Sequence, residues 1–200
     1  MHDEKAQYIR AALTALRQAF NLPEALEVEL TARARLVMFS QLSYIEYPGL
    51  AEDGYLWYMV RGIARSVVFD QQFQLQYSLF LWTKGDVIFQ PDSFFFEKPR
   101  EEAVQVLEDS ILLQLPIPQL RRLLATFPQI DQLLAHLWGQ HELRLIRYSS
   151  WLHLGTRERM KAFLTYYPNI TERVPHYLLA EFLNMNRNTF SRLLRSIKKK

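Results

Sequence analysis

The stretch Val174–Lys200, VPHYLLAEFLNMNRNTFSRLLRSIKKK, decides how the rest of the chain is read. Pro175 stands where a helix begins, because its missing N–H costs nothing there. Leu178, Leu179, Phe182 and Leu183 share one face, and the small Ala180 lets a second helix cross closely. Asn184-Met185-Asn186 is a short turn. Asn tolerates positive φ better than most residues, which suits Asn184. Asn186 can cap the helix that follows. Phe190, Leu193, Leu194 and Ile197 then form the buried face of that helix. Its other face carries Arg187, Asn188, Ser191, Arg192 and Arg195. Two helices joined by a tight turn, the second basic in its first turn, form a helix-turn-helix. Such a helix enters the major groove of DNA with its N-terminal residues near the base edges. Arg187, Asn188 and Arg192 are the candidate base readers, because Arg matches guanine and Asn matches adenine in bidentate fashion. Thr189, Ser191, Arg195 and Lys198–Lys200 are candidate phosphate contacts.

Charge along the chain points the same way. The formal net charge is only +3, yet residues 156–200 carry 10 Lys/Arg against 3 Asp/Glu, and residues 1–155 carry 14 against 18. All the excess positive charge therefore sits in one short region, as in a polyanion-binding module. A solubilising basic tail is the other reading of the charge alone.

Working back from Gly155, which marks a hinge, one long helix is expected over about 129–153. Ile130, Leu134, Leu137, His141, Leu145, Tyr148 and Leu152 follow at steps of three or four. That stripe suits a dimer seam, or the packing of the helix on its own domain. Thr156 is expected to cap a helix over Arg157–Tyr167, closed by Pro168-Asn169. Pro116-Ile117-Pro118 ends a β-rich region, and Gln119–Thr126 reads as a short helix.

Between Ala34 and Leu115 the periodicity changes to short runs rich in β-formers. They are Arg35–Phe39, Ser43–Tyr47, Tyr55–Val60, Ile63–Asp70, Phe73–Trp82, Val104–Leu107 and Ile111–Leu115. Pro48-Gly49, Asp53-Gly54, Arg61-Gly62 and Lys84-Gly85 punctuate them. This pattern predicts an antiparallel barrel or jelly roll. Two N-terminal helices, about 3–20 and 24–34, precede it, separated at Asn21-Leu22-Pro23. The fold class expected is α+β. Its parts are residues 1–128, the long helix at 129–155 and a helical unit at 156–200.

No run of 18 apolar residues suggests a membrane span, and the N-terminus lacks the pattern of a signal peptide. With no cysteine, disulfides and Cys-ligated metals are excluded. A cytoplasmic protein without cofactor or metal is expected. The five histidines (His2, His136, His141, His153 and His176) show no metal-ligand spacing, and no hydrolase or nucleotide-loop motif is present. No catalytic residue is assigned, and an enzyme is not expected.

The tail resembles the Crp–Fnr family of bacterial regulators, which pair a cyclic-nucleotide-binding barrel with a C-terminal helix-turn-helix. Ala180, the turn Asn184-Met185-Asn186, Arg187, Thr189 and Arg192 fall where that family has its small residue, its turn and its DNA contacts. Asn188 replaces the family's common Glu. The stretch Gly85–Ser110, GDVIFQPDSFFFEKPREEAVQVLEDS, is similar to the family's phosphate-binding cassette. The resemblance implies that Arg100 falls on the Arg that holds the cyclic phosphate. Gln90 stands for the ribose-binding Glu, Phe89 and Asp92 for glycines, and Glu101 and Glu102 for Ser-Ala. Leu145 and Ile146 lie where the family's long helix offers hydroxyls to the purine. A carboxylate beside an anionic ligand is repulsive. The resemblance thus implies a transcriptional regulator with a degenerate pocket (Phe89, Gln90, Arg100, Glu101 and Glu102) that does not respond to cyclic AMP. It implies a reduced or absent wing. The implied partners are a palindromic double-stranded operator, a second copy of the chain and RNA polymerase, with no membrane. A sensor or adaptor acting through protein contacts, or through another small effector, is the alternative.

Overall fold

Two sheets account for residues 35–116. The computed structural model describes residues 2–198. Its strands are β1 (Arg35–Phe39), β2 (Tyr44–Glu46), β3 (Tyr55–Arg61), β4 (Ile63–Asp70), β5 (Leu75–Thr83), β6 (Val87–Ile88), β7 (Glu102–Val106) and β8 (Ser110–Pro116). One antiparallel sheet has the order β1-β8-β3-β6 and the other β2-β7-β4-β5. The seven runs expected from sequence all form strands.

The period of two places the core. Along β3, Trp57 and Met59 point between the sheets, where they meet Phe80, Trp82, Val104 and Leu112. Leu56, Tyr58 and Val60 point the other way, into a cluster with helices. Both faces of β3 are therefore covered, which is why its sequence is apolar throughout instead of alternating. Burial of Trp57 and Met59, at 1% and 0% exposed, stabilises by roughly 1.5–3 kcal/mol each.

Of the two expected forms, barrel or jelly roll, the chain takes the second. No ladder joins the two sheets among the described residues, so the architecture is an open two-sheet jelly roll. Strands β2 and β6 have three and two residues, too short to pair along both edges and close the ring.

Helices cover both outer faces. The first sheet is covered by α1 (His2–Phe20) and α2 (Glu24–Arg33) together with α4 (Ile117–Thr126) and the start of α5 (Ile130–Leu152); a short α3 (Pro91–Phe96) lies in the cassette. The second sheet is covered by α6 (Thr156–Tyr166), α7 (Ile170–Arg173), α8 (His176–Phe182) and α9 (Arg187–Lys198), whose cluster includes Ile63, Leu81 and Leu107. Three helix-flanking asparagines, Asn21, Asn169 and Asn184, have φ of 48°, 62° and 48°, the left-handed region that Asn tolerates. Thr156 lies one residue inside α6 and Gly155 takes the cap position. Among the described residues, the unit from Thr156 onward contains helices only.

The stripe on α5 faces inward. Ile130 and Leu134 are buried in the chain's own core, and Leu137, His141 and Tyr148 are half-buried. Leu145 and Leu152, at its flank, are exposed. The expected seam is therefore mostly an intramolecular contact. The opposite face of the same helix carries exposed Ala135, Gly139, Leu143 and Ile146. No helix among the described residues is long and apolar enough to cross a membrane.

Candidate nucleic-acid interface and effector pocket

The helix pair at the C-terminus is built as its residues dictate. In α8, Leu178, Leu179, Ala180 and Phe182 are buried, as is Leu183 at its C-cap, and in α9 Phe190 and Leu194 meet them. Asn184 turns the chain, with the Met185 N–H donating to the Ala180 carbonyl at 2.9 Å. The Asn186 side chain accepts from the Asn188 N–H at 2.8 Å and so caps α9. With Phe190 and Leu194 turned inward, Arg187, Asn188, Arg192 and Arg195 are exposed together on the outer face. Ser191 is half-buried between them, and Thr189 is half-buried on the flank. Lys198 is exposed and bridges Glu172 at 3.3 Å; Lys199 and Lys200 lie outside the described residues.

Some basic residues of this region have structural work instead. Arg159 donates to the carbonyls of Leu183 at 2.8 Å and of Leu152 at 2.9 Å, tying the ends of α8 and α5. Arg173 is paired with Glu108. The helical unit is docked on the second sheet through Glu181, which accepts from Arg65 at 2.8 Å and Ser78 at 3.0 Å. These contacts join residues more than 100 positions apart, and the sequence held no sign of them.

In the cassette, Arg100 is turned inward. It is 8% exposed, pairs with Glu46 at 2.7 Å and donates to the Leu50 carbonyl at 3.0 Å. The other Glu46 oxygen accepts from the Trp57 indole. Burial raises the Glu46 carboxyl, against the hydrogen bonds from Trp57 and Arg100. Two glycines make room for this pair. A Cβ at Gly54 would stand 2.7 Å from Arg100 Cδ, and one at Gly49 would stand 3.0 Å from its terminal nitrogen. Gly49 and Arg100 also exchange backbone hydrogen bonds at 3.1 and 2.7 Å.

The remaining cassette residues divide. Phe89 is buried at 4% and packs on Phe94 with ring centroids 5.3 Å apart, so it belongs to the core. Gln90 spends its amide on the Glu102 carbonyl at 3.2 Å. Gln90, Glu101 and Glu102 line a cavity of about 430 Å³ between the cassette, β4, β5 and α5. Burial pushes Glu102 up to about 7, and the charges of Glu46 and Glu101 add to it, against the Ser66 hydroxyl. Burial lowers the His141 imidazole on the cavity wall, which favours its neutral form.

Solved structures share this fold over most of the chain. The c-di-GMP-responsive global regulator CLP of Xanthomonas campestris is 18% identical, with 88% of this chain and 92% of that one covered at a TM-score of 0.67. FixK2 of Bradyrhizobium japonicum is 16% identical, with 83% and 85% covered at 0.71. A transcriptional regulator of the crp/fnr family from Eubacterium rectale is 14% identical, with 89% and 84% covered at 0.70. The chain has the Crp–Fnr fold. No protein-family profile matches its sequence, and no curated protein does.

Within the Crp–Fnr fold, the five expected pocket residues are not brought to one place. Three line the cavity, while Phe89 and Arg100 are withdrawn from it. The residue that sequence reasoning missed is Glu46. It lies 54 positions from Arg100, and the pairing of β2 with β7, extended by the Gly49–Arg100 bridge, brings the two together. A lone charged residue in the otherwise uncharged run Ser43–Tyr47 was the one available hint.

Proposed function

We propose that the chain is a DNA-binding transcriptional regulator that reads a palindromic operator as a homodimer. The observation that carries this reading is the outer face of α9. Arg187, Asn188, Arg192 and Arg195 stand exposed on a helix whose other side is buried against α8. No intramolecular anion partner reaches these three arginines among the described residues. Arg187, Asn188 and Arg192 read base edges, and Thr189, Ser191, Arg195 and Lys198 lie toward the phosphates. The operator and a second copy of the chain are the partners this reading requires, and RNA polymerase is a further one that the family resemblance suggests. Selection of binding sites from random duplex DNA tests it. Two inverted half-sites one helical turn apart, roughly 34 Å, are expected. Recovery of unselected sequence would remove the reading.

The base-reading assignment gives a sharper expectation. Arg192→Ala should weaken binding to the selected duplex by about 1–3 kcal/mol and relax preference at one base pair. Equal loss on selected and scrambled duplexes would move Arg192 to the phosphate contacts.

For the dimer, the support is the outward face of α5. Leu143 and Ile146 are 53% and 63% exposed, and Ala135 and Gly139 on the same face would allow close approach of a second helix. Sedimentation should show a dimer at micromolar concentration and a monomer for Ile146→Glu. A wild-type monomer would contradict this.

The pocket supports a regulator that does not answer to cyclic AMP. Arg100 is held by Glu46, and Glu101 and Glu102 line the adjoining cavity, where a carboxylate repels an anionic ligand. Calorimetry with cyclic AMP should show no binding tighter than about 1 mM, which corresponds to roughly 4 kcal/mol. Micromolar affinity would mean that Arg100 leaves Glu46 for the ligand.

A further inference from the structure

A second cavity lies outside the jelly roll, between the first sheet and the helices that cover it. It has a volume of about 110 Å³ and is bounded by α1, α2, α4, the start of α5 and the outward faces of β3 and β8. Its wall includes Ile9, Leu13, Leu26, Leu56, Leu115 and Leu134. Among the described residues, Tyr58 brings the only polar side-chain atom to that wall. No residue of α3, β4, β5 or β7 lines it, so it is separate from the cavity beside Gln90. Protein interiors are otherwise close-packed. A void of this kind, lined by aliphatic groups, stays dry and takes up small apolar molecules.

The void adjoins a wider space of about 340 Å³. Ala12, Leu16, Tyr58, Val87 and Leu137 line both, and all five are half-buried, as side chains at a throat are. The outer space is polar where the inner one is not, with Asp86, His136, Gln140 and Arg144 in its lining. Arg144 is paired with Asp86 and lies over the Trp82 ring, 4.9 Å from its centroid. The one arginine is thus matched by the one carboxylate, and no permanent cation is free to hold an anion. Burial raises the Tyr58 phenol and the charge of Asp86 adds to it, which puts that hydroxyl on the outer side of the throat. His136 and Gln140 are exposed and offer both donors and acceptors.

We propose that the two spaces form one site for a neutral amphipathic molecule, a linear alkyl stem of about four to six carbons ending in a hydroxyl or an amide. The stem fills the inner void. The head stops at the throat, where it meets Tyr58, Gln140 and His136. A carboxylate head would lose its hydration without gaining a free cation, which disfavours it. No residue of α6, α7, α8 or α9 lines either space, so the site stands apart from the DNA-binding reading.

The probe is 1-hexanol, in calorimetry on the full chain. Saturable binding is expected at about 1 mM or tighter. Affinity should rise about 4-fold with each methylene from 1-butanol to 1-hexanol. Hexanoate at neutral pH should bind at least about 10-fold more weakly than 1-hexanol. Ala12→Leu fills the throat and should weaken 1-hexanol by more than about 10-fold. Tyr58→Phe keeps the ring and removes the hydroxyl. It should weaken 1-hexanol by about 2- to 10-fold and leave the gain per methylene unchanged. The proposal is overturned by no binding of 1-hexanol to the folded wild-type chain, by affinity independent of chain length, or by hexanoate binding as tightly as 1-hexanol. Full affinity in both variants would overturn it too. If Ala12→Leu does not fold, Tyr58→Phe alone decides.

Discussion

Arg100→Ala should destabilise the chain by about 3–5 kcal/mol, because it leaves the Glu46 carboxylate buried without a counter-ion. For a domain of this size, that lowers the melting temperature by on the order of 10 °C. The glycines at 49 and 54 have made room for this one side chain, so its removal also leaves a gap against both. Adding Glu46→Gln should recover most of the loss, since the amide oxygen still accepts from Trp57 and carries no charge. Urea unfolding of the single and double variants measures this. If Arg100→Ala were as stable as wild type, Arg100 would be a free ligand-binding group and not a structural one.

The second large effect concerns Glu102. Its carboxyl is raised from 4.5 to about 7 in the folded chain. Between these values the folded state holds a proton that the unfolded state has released. Stability therefore falls as pH rises across that window, and the cost is fully present above about 7. A shift of this size corresponds to about 3 kcal/mol at most, less where water reaches the carboxyl. Glu102→Gln should match wild type near pH 4 and exceed it near pH 8 by on the order of 2 kcal/mol. Denaturant unfolding at the two pH values measures the difference. Parallel stability profiles would show that Glu102 is solvated and titrates normally.

Much of the architecture was legible because it is local. The turn Asn184-Met185-Asn186 announces both a positive-φ residue and a cap, and both are found. Strand β4 was readable to its ends, because Gly62 and Asp70 bound it, and β1 because its β-forming run stops at the polar Ser40-Gln41. Short elements were not readable: β6 has two residues and α7 has four, too few to show a period. The face of α5 was ambiguous for a physical reason. An apolar stripe has the same helical spacing whether it meets a second chain or its own sheet, and here it meets its own sheet. The cassette was recognised as altered from Gln90, Glu101 and Glu102, all of which sit where substitutions can be read one by one. That Arg100 is occupied by Glu46 was not visible, since it depends on pairing across sheet β2-β7-β4-β5.

The central claim is that the face of α9 binds double-stranded DNA. It is tested most directly by titrating the full chain against a selected duplex at several salt concentrations. The affinity should fall steeply with salt, with a slope reduced by about one for each phosphate-contacting Lys or Arg removed. Binding that ignores salt, or no binding to any duplex by the folded chain, would contradict it.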